Sequence, residues 1–290
     1  MLEFKPITLA DRPSIDRFLS LSPSKQLIGC FEAFYLWRDV LRVEWAETEG
    51  TALFRVHYEP GNPQFLYPFG GGNPGDAIFR LKKHCHSAGL PLRLAKVREE
   101  QLWFLQDFFP GELVASPSRD QAEYLFTADA FRTYTGKSLQ PKRNFVNYAR
   151  SRYNWAYEPV GKHNAEECSA FASRFGGDGS FGDDTAALQC ALAGFEDLRM
   201  QGGIIRIDGE ISALFVCSLL GDGQTAAGLF LRGNHGQKGV IPLLYQEFFR
   251  AHPEYAYFNF GEDLGLEGLR KNKLSFQPAK LLELYNVDFH

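Results

Sequence analysis

The pattern of hydrophobic and polar positions divides the chain into short strands alternating with helices. Apolar runs at 52–58 and 92–97 predict strands, whereas residues 99–108 and 240–251 repeat apolar side chains at helical spacing. In the second half, two long apolar runs flank Asp208-Gly209, a pair typical of a tight β-hairpin turn. A third strand, a helix and a further strand then follow. This order predicts an α+β fold with mixed sheets flanked by helices.

The last fifth of the chain combines a predicted buried strand, 256–260, with an unusual density of charge. Glu262 and Asp263 follow the strand where a helix N-terminus would accept negative charge. A short helix then ends in a basic turn. One interpretation is ordinary helix capping, with a Glu267–Lys271 pair one helical turn apart. The other is a functional site in which several of these residues take part: Asn259, Glu262, Asp263, Arg270, Lys271 and Lys273.

Residues 259–278, NFGEDLGLEGLRKNKLSFQP, resemble a signature of bacterial proteins related to the C-terminal domain of phosphatidylglycerol lysyltransferase. Two upstream segments are similar to the same family: Tyr124-Leu-Phe leading to Lys142-Arg-Asn, and Tyr67-Pro-Phe-Gly-Gly-Gly. The resemblance covers nearly the whole chain. It implies two tandem acyl-CoA N-acyltransferase-like (GNAT-like) domains, each with a mixed, mostly antiparallel sheet flanked by helices. We place them at 1–134 and 135–290, with the active site in the second.

Composition is that of a folded globular protein. Hydrophobic residues make up 44% and charged residues 23%, and the 26 Phe and 12 Tyr predict aromatic-rich cores or clefts. The formal net charge of −4 gives no global attraction to a polyanion, so any such partner must meet a local basic patch. We expect no transmembrane segment and no signal peptide. Five dispersed cysteines indicate neither a disulfide framework nor a metal site, and favour a cytoplasmic location.

The best basic patch lies between Arg132 and Arg152, a segment with six basic residues and no acidic one. A helix here would carry basic groups beside aromatic ones, an arrangement that can follow a phosphate backbone and stack a base. A linker helix with a solvated basic face is the alternative. Together with the resemblance, the segment predicts nucleic-acid or anion binding by Lys142, Arg143, Asn144 and Arg150.

Two glycine-bearing loops precede predicted helices. The loop 232–239 stands where GNAT enzymes hold a pyrophosphate on backbone amides, but its spacing departs from their pattern, which disfavours acetyl-CoA. We predict Arg232 as a donor-binding residue and His235 as a catalytic histidine, although an exposed loop histidine is the commoner case. The loop 70–76 could also hold an anion, and we interpret it instead as a connection capped by Asp76.

The function predicted from these features is transfer of an aminoacyl group from aminoacyl-tRNA to an amine or hydroxyl of a small molecule or peptide. Glu262 and Asp263 would bind or deprotonate the acceptor, and the basic residues would bind the anionic donor. The sequence assigns no metal site, and it assigns no cofactor beyond aminoacyl-tRNA or acyl-CoA as a possible donor. Two alternatives stay open: an acyl-CoA-dependent N-acyltransferase, and a non-enzymatic ligand-binding protein of the same fold.

Overall fold

The structure is a computed structural model of the 290-residue chain and describes residues 2–59, 62–175 and 184–290. The chain forms two compact units, one made of Met1–Glu123 with Leu282–His290 and the other of Tyr124–Leu281. The division therefore falls earlier than the predicted boundary at residue 135. It also returns the last nine residues to the first unit, because they pair with strands of that unit.

The first unit contains an eight-stranded mixed sheet. Its strands are β1 (Lys5–Pro6), β2 (Glu44–Thr48), β3 (Thr51–Glu59), β4 (Asn62–Leu66), β5 (Phe69–Gly70), β6 (Arg93–Arg98), β7 (Leu113–Pro117) and the C-terminal strand β15 (Leu284–Phe289). The order is β1-β2-β3-β4-β6-β15-β7, with β5 pairing β3. Its helices are α1 (Arg12–Leu21), α2 (Phe31–Tyr35), α3 (Pro74–Ala88) and α4 (Glu99–Phe108), with short 3-10 helices at Leu9–Asp11, Leu27–Gly29 and Arg119–Gln121.

Strand β15 completes the first sheet by lying between β6 and β7. It is antiparallel to both, with Leu284 opposite Arg98 and Phe289 opposite Leu113. Val287 in its centre is fully buried among apolar residues of this unit. The end of the chain is therefore part of the first unit's core.

The second unit contains a seven-stranded sheet with the order β14-β8-β13-β12-β11-β10-β9. Its strands are β8 (Glu123–Thr127), β9 (Trp155–Pro159), β10 (Gln201–Ile207), β11 (Glu210–Leu219), β12 (Thr225–Gly233), β13 (Tyr257–Glu262) and β14 (Lys280–Leu282). Its helices are α5 (Ala128–Thr133), α6 (Gln140–Arg152), α7 (Ala165–Arg174), α8 (Thr185–Ala193), α9 (Val240–Ala251) and α10 (Glu267–Leu274). The predicted hairpin at Asp208-Gly209 joins β10 to β11, and both turn residues have positive φ.

Strands β12 and β13 are parallel and pair only over three residues, from Thr225 with Tyr257 to Ala227 with Asn259. Both strands continue beyond that point, β12 to Gly233 and β13 to Glu262. Their carboxyl ends lead into the glycine-bearing loop before α9 and the charged segment before α10. This edge of a parallel pair is where α/β folds commonly bind ligands.

An aromatic core fills the second unit. Phe131 of α5 packs against the rings of Tyr245, Phe258 and Phe276 at centroid distances of 5.1 to 5.4 Å. These rings are at most 2% exposed. The abundance of Phe and Tyr in the sequence is thus used for packing, and it joins α5, α9 and β13 to the segment after α10.

Candidate functional site

The turn after β13 is a strained segment that its own side chains hold in place. Gly261, Leu264 and Gly265 all have φ between 57° and 74°, a region that a leucine rarely adopts. The side chain of Asn259 accepts a hydrogen bond from the N–H of Gly261 at 2.8 Å. The carbonyl of Asp263 accepts one from Leu266 at 2.9 Å. Non-glycine strain of this kind persists only where surrounding contacts enforce it.

Asp263 supplies most of that enforcement. Its carboxylate is fully buried and accepts both Nε and Nη2 of Arg270 at 2.8 Å, the bidentate geometry of a strong ion pair. The hydroxyl of Tyr124 donates to it at 2.5 Å and the N–H of Gly265 at 3.0 Å. Each carboxylate oxygen therefore accepts two hydrogen bonds. This geometry suits a residue that positions the turn better than it suits a base that takes a proton from a substrate.

Lys273 is a buried cation beneath the same turn. It is 4% exposed, and its Nζ donates to the carbonyls of Phe260 at 2.6 Å and Glu262 at 2.5 Å. Its ammonium also lies 4.9 Å from the ring centre of Phe260. Burial of an ammonium is costly unless hydrogen bonds compensate it, and these two carbonyls do so. Lys273 therefore holds the last residues of β13 in place through their backbone carbonyls.

Two other predicted residues of this segment lie nearer to solvent. Glu262, the last residue of β13, is half-buried. Lys271 is exposed and forms the predicted ion pair with Glu267 at 2.6 Å. This i,i+4 pair on a solvated face is the ordinary helix stabilisation considered in the sequence analysis. Of the predicted acidic pair, Glu262 is thus the one nearer to solvent.

Helix α6 divides its predicted anion-binding residues into different environments. Arg143 donates to the carbonyls of Tyr134 and Gly136, and Arg150 is paired with Glu247, so both hold neighbouring elements together. Asn144 is exposed. The Nζ of Lys142 lies 3.6 Å from the ring centre of Phe276, and burial lowers the pKa of Lys142 to about 8.

The segment between β12 and α9 packs against α6. A Cβ atom on Gly239 would lie 2.2 Å from the carbonyl oxygen of Phe145, and φ at Gly239 is 87°, so only glycine fits here. The adjacent Lys238 places its Nζ 5.3 Å from the ring centres of both Phe145 and Tyr148. Two segments predicted separately as anion sites are therefore neighbours.

The predicted residues of this segment differ in exposure. His235 is exposed, whereas Arg232 is 6% exposed, donates to the carbonyl of Leu231 at 2.9 Å and pairs with Asp184. Lys238 was not predicted as a site residue. In the sequence it lies between Gly236 and Gly239, and nothing in that segment indicates that α6 would place aromatic rings beside it.

A family model described as phosphatidylglycerol lysyltransferase, C-terminal, matches residues 25–288. The chain belongs to this family. The family assignment confirms the resemblance seen in residues 259–278. A comparison with curated protein sequences finds no match.

Solved structures of other proteins share the fold of this chain over nearly its whole length. A conserved protein of unknown function from Bacteroides thetaiotaomicron has 26% identity and a TM-score of 0.93, with all of both chains covered. L-PGS from Bacillus licheniformis has 16% identity and a TM-score of 0.70, covering 96% of this chain and 92% of the other. A tandem GNAT protein from the clavulanic acid biosynthesis pathway has 12% identity and a TM-score of 0.52, covering 99% and 98%. The predicted tandem GNAT-like α+β fold is confirmed.

The structure thus divides the polar and charged residues of this family signature into two groups. Asn259, Asp263, Arg270 and Lys273 each form hydrogen bonds within or to the turn, and Tyr124 of β8 donates to Asp263. Glu262 and Lys271 lie at its edge. Within the described ranges, no helix is long and apolar enough to cross a membrane.

Proposed function

We propose that the protein is an acyltransferase that moves an aminoacyl group from aminoacyl-tRNA to an amine or hydroxyl acceptor. Membership of the phosphatidylglycerol lysyltransferase family supports this class of reaction, because a lysyl group is an aminoacyl group. The family does not fix the acceptor. A small molecule or a peptide is our proposal for it.

The observation that carries the proposal is the meeting of Lys238 with Phe145 and Tyr148. Tyr148 is 41% exposed, so one ring is available to a base while the ammonium stands 5.3 Å from it. Single-stranded nucleic acid is commonly bound by this combination, in which a cation contacts a phosphate and an aromatic ring stacks a base. Exposed Asn144 and half-buried Lys142, whose ammonium contacts Phe276, belong to the same helix, and we propose that they contribute to the same binding surface.

The backbone of this segment supports a tRNA donor over acyl-CoA. A pyrophosphate cradle needs free amides before a helix N-terminus. Here Gly236 donates its N–H to the side chain of Asn234 at 3.0 Å, and Gln237 donates to the carbonyl of Asn234 at 3.0 Å. The N–H of Val240 is directed to the carbonyl of Gln237 at 3.4 Å. Three amides of the would-be cradle are already used inside the loop.

The reaction is direct attack of the acceptor on the ester carbonyl of the aminoacyl-tRNA. The acceptor's nitrogen or oxygen forms the new bond to that carbon, and the ribose oxygen of the tRNA leaves. One proton must pass from the acceptor to the leaving oxygen. We assign its uptake to Glu262, which the network of Asp263, Arg270 and Lys273 holds at the end of β13. His235, exposed on the loop before α9, is the second group we propose for proton transfer.

Binding of charged tRNA, uncharged tRNA and acetyl-CoA across a salt series tests the donor. We expect tRNA affinity to fall steeply with salt. The slope of log K against log salt should become shallower by about 0.7 to 0.9 for each phosphate that a variant no longer neutralises. Lys238→Ala should reduce both the affinity and this slope. Lys162→Ala, which removes another exposed lysine of the second unit, should change neither.

Two outcomes would contradict the proposed donor. Tight binding of acetyl-CoA without tRNA binding would favour acyl-CoA chemistry. Binding of none of the three would favour the ligand-binding alternative.

A further inference from the structure

A cavity in the first unit lies at the carboxyl ends of two parallel strands. Strands β4 and β6 pair in parallel at Phe65 with Leu94 and at Leu66 with Ala95. Beyond that point, Tyr67 follows β4 and Arg98 ends β6, and both line a cavity of about 290 Å³. This volume lies close to the lower end of the range for small-molecule sites. The position is also the one where α/β sheets commonly receive ligands.

Most polar groups that line the cavity have partners within the protein. The hydroxyl of Ser22 donates to the carbonyl of Phe18 at 3.3 Å and accepts from the N–H of Gly70 at 3.0 Å. The side-chain amide of Gln26 donates to the carbonyl of Lys96 at 2.9 Å. The Thr51 hydroxyl donates to the carbonyl of Thr48 at 2.7 Å. Because their hydrogen bonds are already made within the protein, we do not assign these groups to a ligand.

Arg98 and Tyr67 are different. Nη1 of Arg98 pairs at 2.5 Å with Glu100, which also lines the cavity. Its Nε is buried, and no acceptor for it is found in the part of the chain that the structure describes. Tyr67 lines the same cavity. Burial raises the pKa of Tyr67 to about 12, so its hydroxyl keeps its proton and remains a donor.

The walls of the cavity are aromatic. Phe69 and Phe104 line it with Tyr67, and the rings of Tyr67 and Phe104 meet edge to face at a centroid distance of 6.4 Å. Two side chains with hydrogen-bond donors, Arg98 and Tyr67, therefore line a space bounded by aromatic rings. A guanidinium edge binds a carboxylate with two parallel hydrogen bonds, and aromatic walls suit a flat apolar body.

We propose that this cavity binds a small aromatic carboxylic acid, with its carboxylate on Arg98 and Tyr67 and its ring between Phe69 and Phe104. The site belongs to the first unit and is independent of the function proposed for the second. Glu100 pairs with Nη1, so the ligand carboxylate is assigned to the remaining nitrogens of the guanidinium.

The test is titration of the whole protein with 4-fluorobenzoate, followed by fluorine NMR and by calorimetry. We expect saturable binding that Arg98→Met weakens at least about ten-fold and Tyr67→Phe about three-fold or more. Arg93→Met is the matched control, since Arg93 begins the same strand and pairs with Asp288 at 3.0 Å outside the cavity. This control should bind the probe like the unmodified protein.

Two comparison ligands test the two parts of the proposed recognition: 4-fluorobenzamide keeps the ring without the negative charge, and inorganic phosphate keeps negative charge without the ring. The proposal requires that both bind at least about ten-fold more weakly than 4-fluorobenzoate. Equal binding of either, no saturable binding of the acid, or binding that survives both Arg98→Met and Tyr67→Phe would overturn it. If Arg98→Met fails to fold, as judged by circular dichroism, Tyr67→Phe and the two comparison ligands still decide the question.

Discussion

Replacing Lys142 by methionine should make the protein more stable while weakening its interaction with tRNA. Burial lowers the pKa of Lys142 from 10.5 to about 8. Each pH unit of such a change corresponds to about 1.4 kcal/mol, so the charged form is less favourable in the folded chain by roughly 3 kcal/mol. Screening by solvent at this partly exposed side chain, together with contact of the ammonium with the Phe276 ring at 3.6 Å, offsets about 1 kcal/mol of this. We expect Lys142→Met to raise the free energy of unfolding by about 2 kcal/mol at pH 7.

The effect has a defined pH dependence. The unfolded chain keeps the Lys142 proton up to about pH 10.5, whereas the folded protein releases it near pH 8. The destabilisation is therefore fully present below pH 8 and declines as the pH rises toward 10.5. At pH 9.5 the advantage of the methionine variant should have fallen to about 1 kcal/mol.

Urea unfolding at pH 7 and at pH 9.5 measures these differences. Lys137→Met is the control, because Lys137 is an exposed lysine shortly before the same helix, and its change should stay within about 0.5 kcal/mol at both pH values. A Lys142→Met variant that is less stable at pH 7, or whose advantage is the same at both pH values, would refute the reasoning. A cation that destabilises its own fold is consistent with a functional site.

Three further changes test the site's architecture. Asp263→Asn should lower the free energy of unfolding by about 3 kcal/mol in the same assay, because it breaks a buried bidentate ion pair. A variant that keeps full stability but loses activity would instead indicate a catalytic carboxylate. Glu262→Gln should change stability by less than about 1 kcal/mol, and a larger decrease would mean that Glu262 is structural. Gly239→Ala should cost at least about 1 kcal/mol more than Gly209→Ala, because both glycines have positive φ but only the first meets another backbone atom at 2.2 Å. Equal costs would contradict the packing of the loop against α6.

Local patterns predicted many elements well. The helices Glu99–Phe108 and Val240–Ala251 have the predicted bounds, because their apolar spacing and flanking residues carry the necessary information. The cap of α3 was wrong: Asn73, not Asp76, accepts the N–H groups of Gly75 and Asp76. Either residue type can cap a helix, so composition alone does not choose between them.

Long-range pairing could not be read from such patterns. Strand β15 has an ordinary strand sequence, and its place between β6 and β7 depends on partners far away in the chain. The hydroxyl of Tyr124 donates to Asp263, which lies 139 residues later in the sequence. This contact helps to identify Asp263 as a buried structural carboxylate and not an exposed acid. The proximity of Lys238 to Phe145 likewise depends on how α6 packs against the loop before α9. These contacts exist only once the fold has formed.

Transfer of label from charged tRNA tests the central claim most directly. The purified protein would be incubated with bulk bacterial tRNA carrying ¹⁴C-labelled amino acids and with a mixture of small amines and peptides. We predict labelled products that depend on the protein, on an intact ester bond and on the acceptor mixture, and that are absent with folded Glu262→Gln and reduced with Lys238→Ala. Release of label at the same rate with and without protein, while the same protein transfers an acetyl group from acetyl-CoA, would contradict the account.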